Sequence, residues 1–151
     1  MSRIRIVVAD QAEAIFYDLS SLQARPTEVA RMSDPAAHLH DRDFSSDRPG
    51  RTYESVGGAR HALERENDPR HRAAVKFARD IAARLDREQR NRDYEQLIVV
   101  AGAPFRGLVR AELSAETQAR VVHEVPKDLV HSPLEVLREH LPKSAQELHS
   151  A

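Results

Sequence analysis

Hydrophobic positions along the chain fall into short, uniformly aliphatic runs and longer helical repeats. The runs at residues 4–8 and 97–101 are the most apolar of the sequence. Uniform burial of this kind is typical of strands that are covered on both faces. We therefore expect these two strands to lie side by side in the middle of a sheet. A further strand is predicted at residues 121–125, where Pro126 ends it.

Two more strands are predicted between the first aliphatic run and residue 34. Residues 14–19 favour a strand, and a helix over residues 10–19 is the alternative because alanine and glutamate favour helix there. At residues 27–32 polar and apolar side chains alternate, as in a strand with one face in water. Three short strands joined by tight connections predict an antiparallel meander at the start of the chain.

Three helices are predicted in the second half of the chain. Asp68 is a candidate N-cap before Pro69, and apolar residues then recur at steps of three and four from residue 74 to residue 85. A second helix is predicted from Phe105 onward. A third is predicted from a capping box at residues 132–135 through Leu141.

The order of the predicted elements indicates an α/β fold. Three meandering strands are followed by helix, strand, helix, strand and helix. Because such strand–helix–strand crossovers are parallel and right-handed, the sheet should be mixed and five-stranded, with helices on its faces. This is the three-layer layout of ribonuclease H-like domains. We expect a single domain over residues 1–142, with a long functional loop at 38–66 and a flexible tail at 143–151.

Composition excludes several classes of function. The net charge of −1 over 151 residues gives no overall attraction to nucleic acid or to a membrane, so any such attraction must be local. The sequence has no cysteine, which excludes disulfides and thiolate chemistry. The apolar run at the N-terminus is too short for a signal peptide or a membrane span. These features predict a cytoplasmic protein without membrane insertion and without a cofactor.

The loop at residues 38–66 is the predicted working surface. It is long, polar and rich in arginine, aspartate and histidine, and loops of such length are usually functional or disordered. Adjacent glycines let main-chain N–H groups approach an anion, and guanidinium groups bind phosphate in forked geometry. Three cations of the helix behind the loop, Arg72, Lys76 and Arg79, extend the cationic strip. The predicted ligand- or RNA-binding residues are Arg48, Arg51, Gly57, Gly58, Arg60, His61, Arg72 and Lys76.

Structural roles are the alternative for each of these residues. The loop arginines could pair with neighbouring carboxylates, and the helix cations could form a solvated face with the pairs Asp80–Arg84 and Glu88–Arg92. Asp10 ends the first strand, where two-metal nucleases carry a ligand, but no acid ends the strand at 97–101. We therefore expect Asp10 to cap a turn. The histidines and aspartates at 38–43 lie beside arginines, so no metal site is predicted.

Several motifs together resemble a known family. They are Val8-Ala9-Asp10, Asp47-Arg48-Pro49-Gly50-Arg51, Gly57-Gly58-Ala59-Arg60-His61-Ala62, Phe77-Ala78, Ala103-Pro104 with Gly107-Leu108, and Lys127-Asp128-Leu129. In this order they resemble the bacterial host-attachment protein family, described as required for attachment to host cells. That family is similar in turn to the middle domain of archaeal and eukaryotic peptide-chain release factor one. There, a Gly-Gly-Gln loop promotes peptidyl-tRNA hydrolysis.

The resemblance implies a match of Gly57 and Gly58 to the two glycines of that loop. Ala59 stands where the release factors have glutamine, so water positioning of their kind is not expected, and His61 is the candidate base for any hydrolysis. Our first hypothesis is an RNA- or ribosome-associated binding module, tied to peptidyl-tRNA release or ribosome rescue. The alternative is an interaction protein that promotes attachment to host cells through a protein or glycan partner, without enzymatic activity. The sheet edge would allow a homo-oligomer.

Overall fold

The computed structural model describes residues 3–34 and 68–149, and its elements follow the predicted order. The strands and helices are β1 (Ile4–Ala9), β2 (Glu13–Leu19), β3 (Thr27–Ser33), α1 (Pro69–Arg90), β4 (Gln96–Ala101), α2 (Phe105–Glu112), α3 (Ala115–Gln118), β5 (Val121–Val125) and α4 (Leu134–His140). The strand at Glu13–Leu19 confirms the strand rather than the alternative helix.

The described strands form one mixed five-stranded sheet in the order β3-β2-β1-β4-β5. β1 pairs with β2 in antiparallel register and with β4 in parallel register, and β5 continues the parallel part beyond β4. All six residues of β1 are buried, as expected of a strand with neighbours on both sides and helices on both faces. The predicted α/β class, the meander and the central β1–β4 pair are confirmed. The finer ribonuclease H-like assignment stays a prediction.

Helices cover both faces of the sheet, so the fold has three layers. Side chains at alternate positions of β1 point to opposite faces, and each set joins a separate apolar core. On one face α1 and α2 pack over a core that includes Val7, Phe16, Ile81, Leu85 and Val109. On the other face α4 closes a core that includes Ile6, Val8, Ile98, Leu137 and Leu141.

Helix α1 begins as its sequence predicts. Asp68 is the N-cap residue, and its Oδ1 accepts a hydrogen bond from the Arg70 N–H at 2.9 Å. Pro69 follows at the first helical position, where its missing N–H has no intrahelical acceptor to lose. Caps of this kind stabilise a helix by about 1 kcal/mol.

The C-terminal end of α1 closes in a Schellman motif. The Arg92 N–H donates to the Gln89 carbonyl at 3.0 Å, and the Asp93 N–H donates to the Glu88 carbonyl at 2.9 Å. This motif places Arg92 at a φ of 61°, in the left-handed region that glycine adopts most easily. A residue with a Cβ costs about 1 kcal/mol there. The chain therefore keeps an arginine at a position where glycine would be more stable.

A buried ionic network lies between β1, β2 and the last turns of α1. Arg5 is 6% exposed, and its Nε donates to Asp18 Oδ1 at 2.6 Å on the neighbouring strand. The Nη1 of Arg5 donates to Glu88 Oε1. Glu88 Oε2 in turn accepts from Arg84 Nε at 2.9 Å. Arg84 pairs with Glu88 rather than with the predicted Asp80, because Glu88 points at the sheet and not into solvent.

Aromatic rings complete this network. The Arg5 guanidinium lies 5.6 Å from the centroid of the Tyr94 ring, and the Arg84 guanidinium lies 4.9 Å from that of Phe16. Such cation–π contacts favour the charged group more strongly where water is excluded. The Tyr94 hydroxyl donates to the Leu85 carbonyl at 2.8 Å. Burial raises the pKa of Tyr94 to about 12.

The last helix and the segment after it differ from the predicted pattern. The predicted capping box at residues 132–135 is wrong, because α4 begins at Leu134 and its N-cap residue is Pro133, which makes no side-chain cap. Residues Ala145–His149 form a short 3₁₀ helix in which Leu148 is buried. The predicted domain limits stay predictions, and so does the loop at 38–66, all of which lies outside the described residues.

Candidate functional site

A groove opens where β1 and β4 end. It has a volume of about 580 Å³ and takes its lining from β1, the start of α1, the β4–α2 connection and the segment after β5. Ligands of open α/β sheets characteristically bind beyond the carboxyl ends of parallel strands. We call it the carboxyl-end groove. Its polar lining residues are Asp10, Gln11, Asp68, Arg70, His71, Asp128 and His131.

Two of the three aspartates are engaged in holding the backbone. Asp10 Oδ1 accepts hydrogen bonds from the N–H groups of Ala12 and Glu13, both at 2.8 Å, which confirms the predicted turn cap. Its other oxygen, Oδ2, lies 3.9 Å from His131 Nε2. Asp68 caps α1. The Oδ2 of Asp68 lies 4.0 Å from Arg70 Nη2, so both carboxylates hold backbone N–H groups with one oxygen and lie near a basic side chain with the other.

The remaining polar residues of the groove are exposed, apart from the half-buried His71. The side chain of His131 is 75% exposed, and Asp128 is exposed on the segment that follows β5. Phe105 and Leu108 supply an apolar wall, and Phe105 stacks against Phe77 with ring centroids 6.2 Å apart. Imidazoles can donate and accept, whereas carboxylates accept hydrogen bonds. The groove can thus bind a ligand through both kinds of hydrogen bond and through apolar contact.

Two described residues that are distant in sequence, Asp34 and Asp68, lie beside this groove. Residues 35–67 between them lie outside the described part of the chain. The Asp34 N–H donates to the carbonyl of Ala12 at 2.8 Å, and Ala12 lines the groove. Asp68 lines the groove itself. Asp34 and Asp68, the described residues on either side of 35–67, therefore both lie near the carboxyl-end groove.

Most of the predicted binding residues lie outside the described part of the chain: Arg48, Arg51, Gly57, Gly58, Arg60 and His61. Arg72 and Lys76 are exposed on α1. Lys76 Nζ lies 3.2 Å from Asp80 Oδ2, and Arg79 Nε lies 3.3 Å from Glu112 Oε1. The described cations of this face therefore include two that are already paired. Their predicted role in binding stays a prediction.

The sequence interpretation did not single out Asp128 or His131 as site residues. Both follow β5, just as Gly102 and Ala103 follow β4. Because parallel strands present their carboxyl ends at one edge of the sheet, residues after β5 and β4 converge there. The predicted parallel strand order therefore contained the signal that would have found them. His71 carried no comparable signal, since its place depends on how α1 packs.

Comparison with known proteins identifies the family of this chain. A family model described as "Protein required for attachment to host cells" matches residues 5–141. The chain belongs to this host-attachment family. The match covers β1 from its second residue onward, all of β2 to β5, and helices α1 to α4. The resemblance to the host-attachment family is thereby confirmed.

Two further findings concern curated relatives and membrane-spanning helices. No curated protein matches the chain. Among the described residues of this host-attachment protein, no helix combines the length and the apolar character that crossing a membrane requires.

Proposed function

We propose that the protein promotes attachment to host cells as an interaction module without enzymatic activity. Membership in the host-attachment family over residues 5–141 is the observation that supports this function. The carboxyl-end groove is the proposed contact surface. It combines exposed donors and acceptors with an apolar wall, which is the usual character of a binding site.

The proposed ligand contacts are made by the exposed side chains of Asp128 and His131. Asp128 is exposed, whereas Asp10 and Asp68 bind main-chain N–H groups. His131 extends the same rim. Loss of Asp128 and His131 would therefore remove contacts to a partner at little cost in fold stability.

An attachment assay tests the proposal. A bacterial strain that lacks the protein is complemented with the wild type or with the double variant Asp128→Asn, His131→Ala, and host-bound cells are counted. We expect the double variant to attach as poorly as the deletion strain, at equal protein level. Glu116→Gln is the matched control, because it removes an exposed acid on α3, which precedes the start of β5, whereas Asp128 and His131 follow the end of β5. Full attachment by the double variant contradicts the groove as the contact surface.

The predicted cytoplasmic location is kept as part of this proposal. An intracellular interaction module would influence attachment through a partner protein rather than by touching the host. Protease treatment of intact cells measures this directly. We expect the protein to survive treatment that removes surface proteins. Its digestion on intact cells would replace the indirect route with direct contact to the host surface.

The RNA- or ribosome-associated module, tied to peptidyl-tRNA release, is the second proposal. It rests on the guanidinium groups of Arg48, Arg51 and Arg60 and on the release-factor resemblance of the loop around Gly57 and Gly58. Replacing the three arginines with alanine should weaken cosedimentation with ribosomes, and salt should weaken it steeply. If the protein does not cosediment with ribosomes, or if the triple variant cosediments as well as the wild type, the ribosomal proposal is contradicted and only the attachment proposal remains.

A further inference from the structure

A second pocket lies at the opposite end of the sheet, where β1 and β4 begin. It has a volume of about 610 Å³, within the range of small-ligand sites. The residues come from the start of β1, the end of α1, the α1–β4 connection and the residue before β5. We call it the amino-end pocket. Its lining includes Arg3, Arg90, Arg92, Arg120, Tyr94 and Glu95.

The charge of this pocket is strongly positive for a nearly neutral protein. Four of its lining residues are arginines, and one is a glutamate. Within residues 3–34 and 68–149, no ion pair joins Arg90, Arg92 or Arg120 to a carboxylate. Arg3 is held differently, since its Nη1 donates to the Asp93 carbonyl at 3.0 Å. Glu95 Oε1 accepts from the Arg3 N–H at 3.2 Å, so the carboxylate is occupied at the rim.

Helix electrostatics explain one of these arginines and leave the others unexplained. The C-terminus of α1 carries partial negative charge, which favours cations such as Arg87 and Arg90 in the last turn. Arg120 comes from the turn before β5 and Arg3 from the start of β1, so neither belongs to that helix end. Their convergence follows from the parallel pairing of β1, β4 and β5.

Arg92 adds an independent reason to assign a ligand to this pocket. Its backbone occupies the left-handed position that closes α1, where glycine would fit without strain. Strained positions persist where the side chain has a use, and they cluster at functional sites. The Arg92 side chain lines the pocket and has no carboxylate partner among the described residues.

We propose that the amino-end pocket binds a small oligophosphate, a ligand with two or more linked phosphate groups. Guanidinium forks match phosphate oxygens bidentately, and several forks around one pocket favour several phosphates over a single one. The pocket volume suits a compact polyanion rather than a length of nucleic acid. This site is separate from the carboxyl-end groove and does not depend on its function.

Calorimetric titration of the full chain with sodium tripolyphosphate tests the proposal. We expect saturable binding that is stronger than binding of orthophosphate and that weakens as salt is raised. Arg120→Ala should lower the affinity about tenfold, the effect of losing one charge-assisted contact. Arg92→Gly should lower it similarly while raising the melting temperature, because glycine relieves the backbone strain.

The matched control is Arg87→Ala. Arg87 lies in the last turn of α1, as Arg90 does, and the variant removes one positive charge there. Arg87 does not line the pocket. We expect its affinity to stay within about twofold of wild type, since an exposed charge that does not line the pocket is partly screened. An Arg87→Ala loss as large as that of Arg120→Ala overturns the proposal. Absence of tripolyphosphate binding overturns it too, including the case in which a single-stranded RNA dodecamer binds instead.

Titration with adenosine triphosphate then distinguishes a nucleotide from inorganic oligophosphate as the ligand, since both carry linked phosphate groups. Tighter binding of the nucleotide than of tripolyphosphate assigns the pocket to nucleotides, with contacts beyond the phosphates. Equal or weaker binding assigns it to inorganic oligophosphate. In both cases Arg92→Gly should reduce the affinity, because the phosphate contacts are shared.

Discussion

Two groups of arginines lie near the beginning of the parallel strands, and they differ in what surrounds them. Arg5 and Arg84 belong to the buried network, where Asp18 and Glu88 neutralise them and aromatic rings cover them. Arg92 and Arg120 line the amino-end pocket, exposed and without such partners among the described residues. The same side chain is therefore structural in one group and available for a ligand in the other.

The comparison shows that the groups around an arginine side chain decide whether it is structural or available to a ligand. A buried guanidinium has lost its hydration, so its carboxylates are required for stability. An exposed guanidinium keeps its hydration and can exchange water for a ligand at little cost in folding. Variants of the two groups should accordingly affect different measurements.

The largest expected effect is the loss of a carboxylate from the buried network. Glu88→Ala leaves Arg5 buried without its main partner, and breaking such a pair typically costs about 3–5 kcal/mol. Urea unfolding measures the change in the free energy of unfolding. Glu95→Ala is the control, because it removes an exposed glutamate beside the amino-end pocket, and we expect a change below about 0.5 kcal/mol. Equal losses in the two variants would erase the distinction between the groups.

Tyr94, which contacts Arg5 and lines the amino-end pocket, should make stability depend on alkaline pH. Its pKa is about 12 in the fold against the ordinary 10.0, so the unfolded chain loses the phenolic proton first. Stability from this source is present below pH 10 and falls as the pH rises to 12. The expected loss is about 2–3 kcal/mol. Tyr94→Phe should remove this part of the pH dependence in unfolding measured at pH 9 and pH 12.

The smallest effect is expected at Arg92, and its sign is opposite. Arg92→Gly should stabilise the fold by about 0.5–1 kcal/mol, since glycine adopts the left-handed conformation without strain. Asn91→Gly is the matched control next to it. Asn91 has an ordinary right-handed backbone, so glycine should destabilise the fold there. Thermal unfolding of both variants measures the difference, and a stability loss in both would refute the strain at Arg92.

The sheet was predictable because its signal is local. Aliphatic runs at β1 and β4, the alternation in β3 and the Asp68–Pro69 start of α1 each depend on neighbouring residues. The Asp10 turn cap was predictable for the same reason, since the two N–H groups that donate to its carboxylate lie two and three residues away. In these places the elementary preferences of the chain agree with the fold.

The charged sites were not predictable in this way because their partners are distant in sequence. Arg5 and Glu88 are 83 residues apart, and nothing near Glu88 indicates that it points at the sheet. The amino-end pocket likewise combines residues from four separate parts of the chain. Asp128 and His131 depend on strand order, which the sequence supplies in outline. Side-chain pairing across elements requires register, and register is a property of the assembled sheet.

The pairing of β1 with β4 also has a consequence for how the chain assembles. The contact between Arg3 and Glu95 at its start closes a loop of 92 residues. Until β4 arrives, the β1–β2–β3 meander exposes an unpaired aliphatic edge, which is the kind of surface that templates aggregation. Folding of this chain therefore depends on contacts between residues that are distant in sequence. Because such contacts form slowly, we expect folding on the millisecond-to-second timescale.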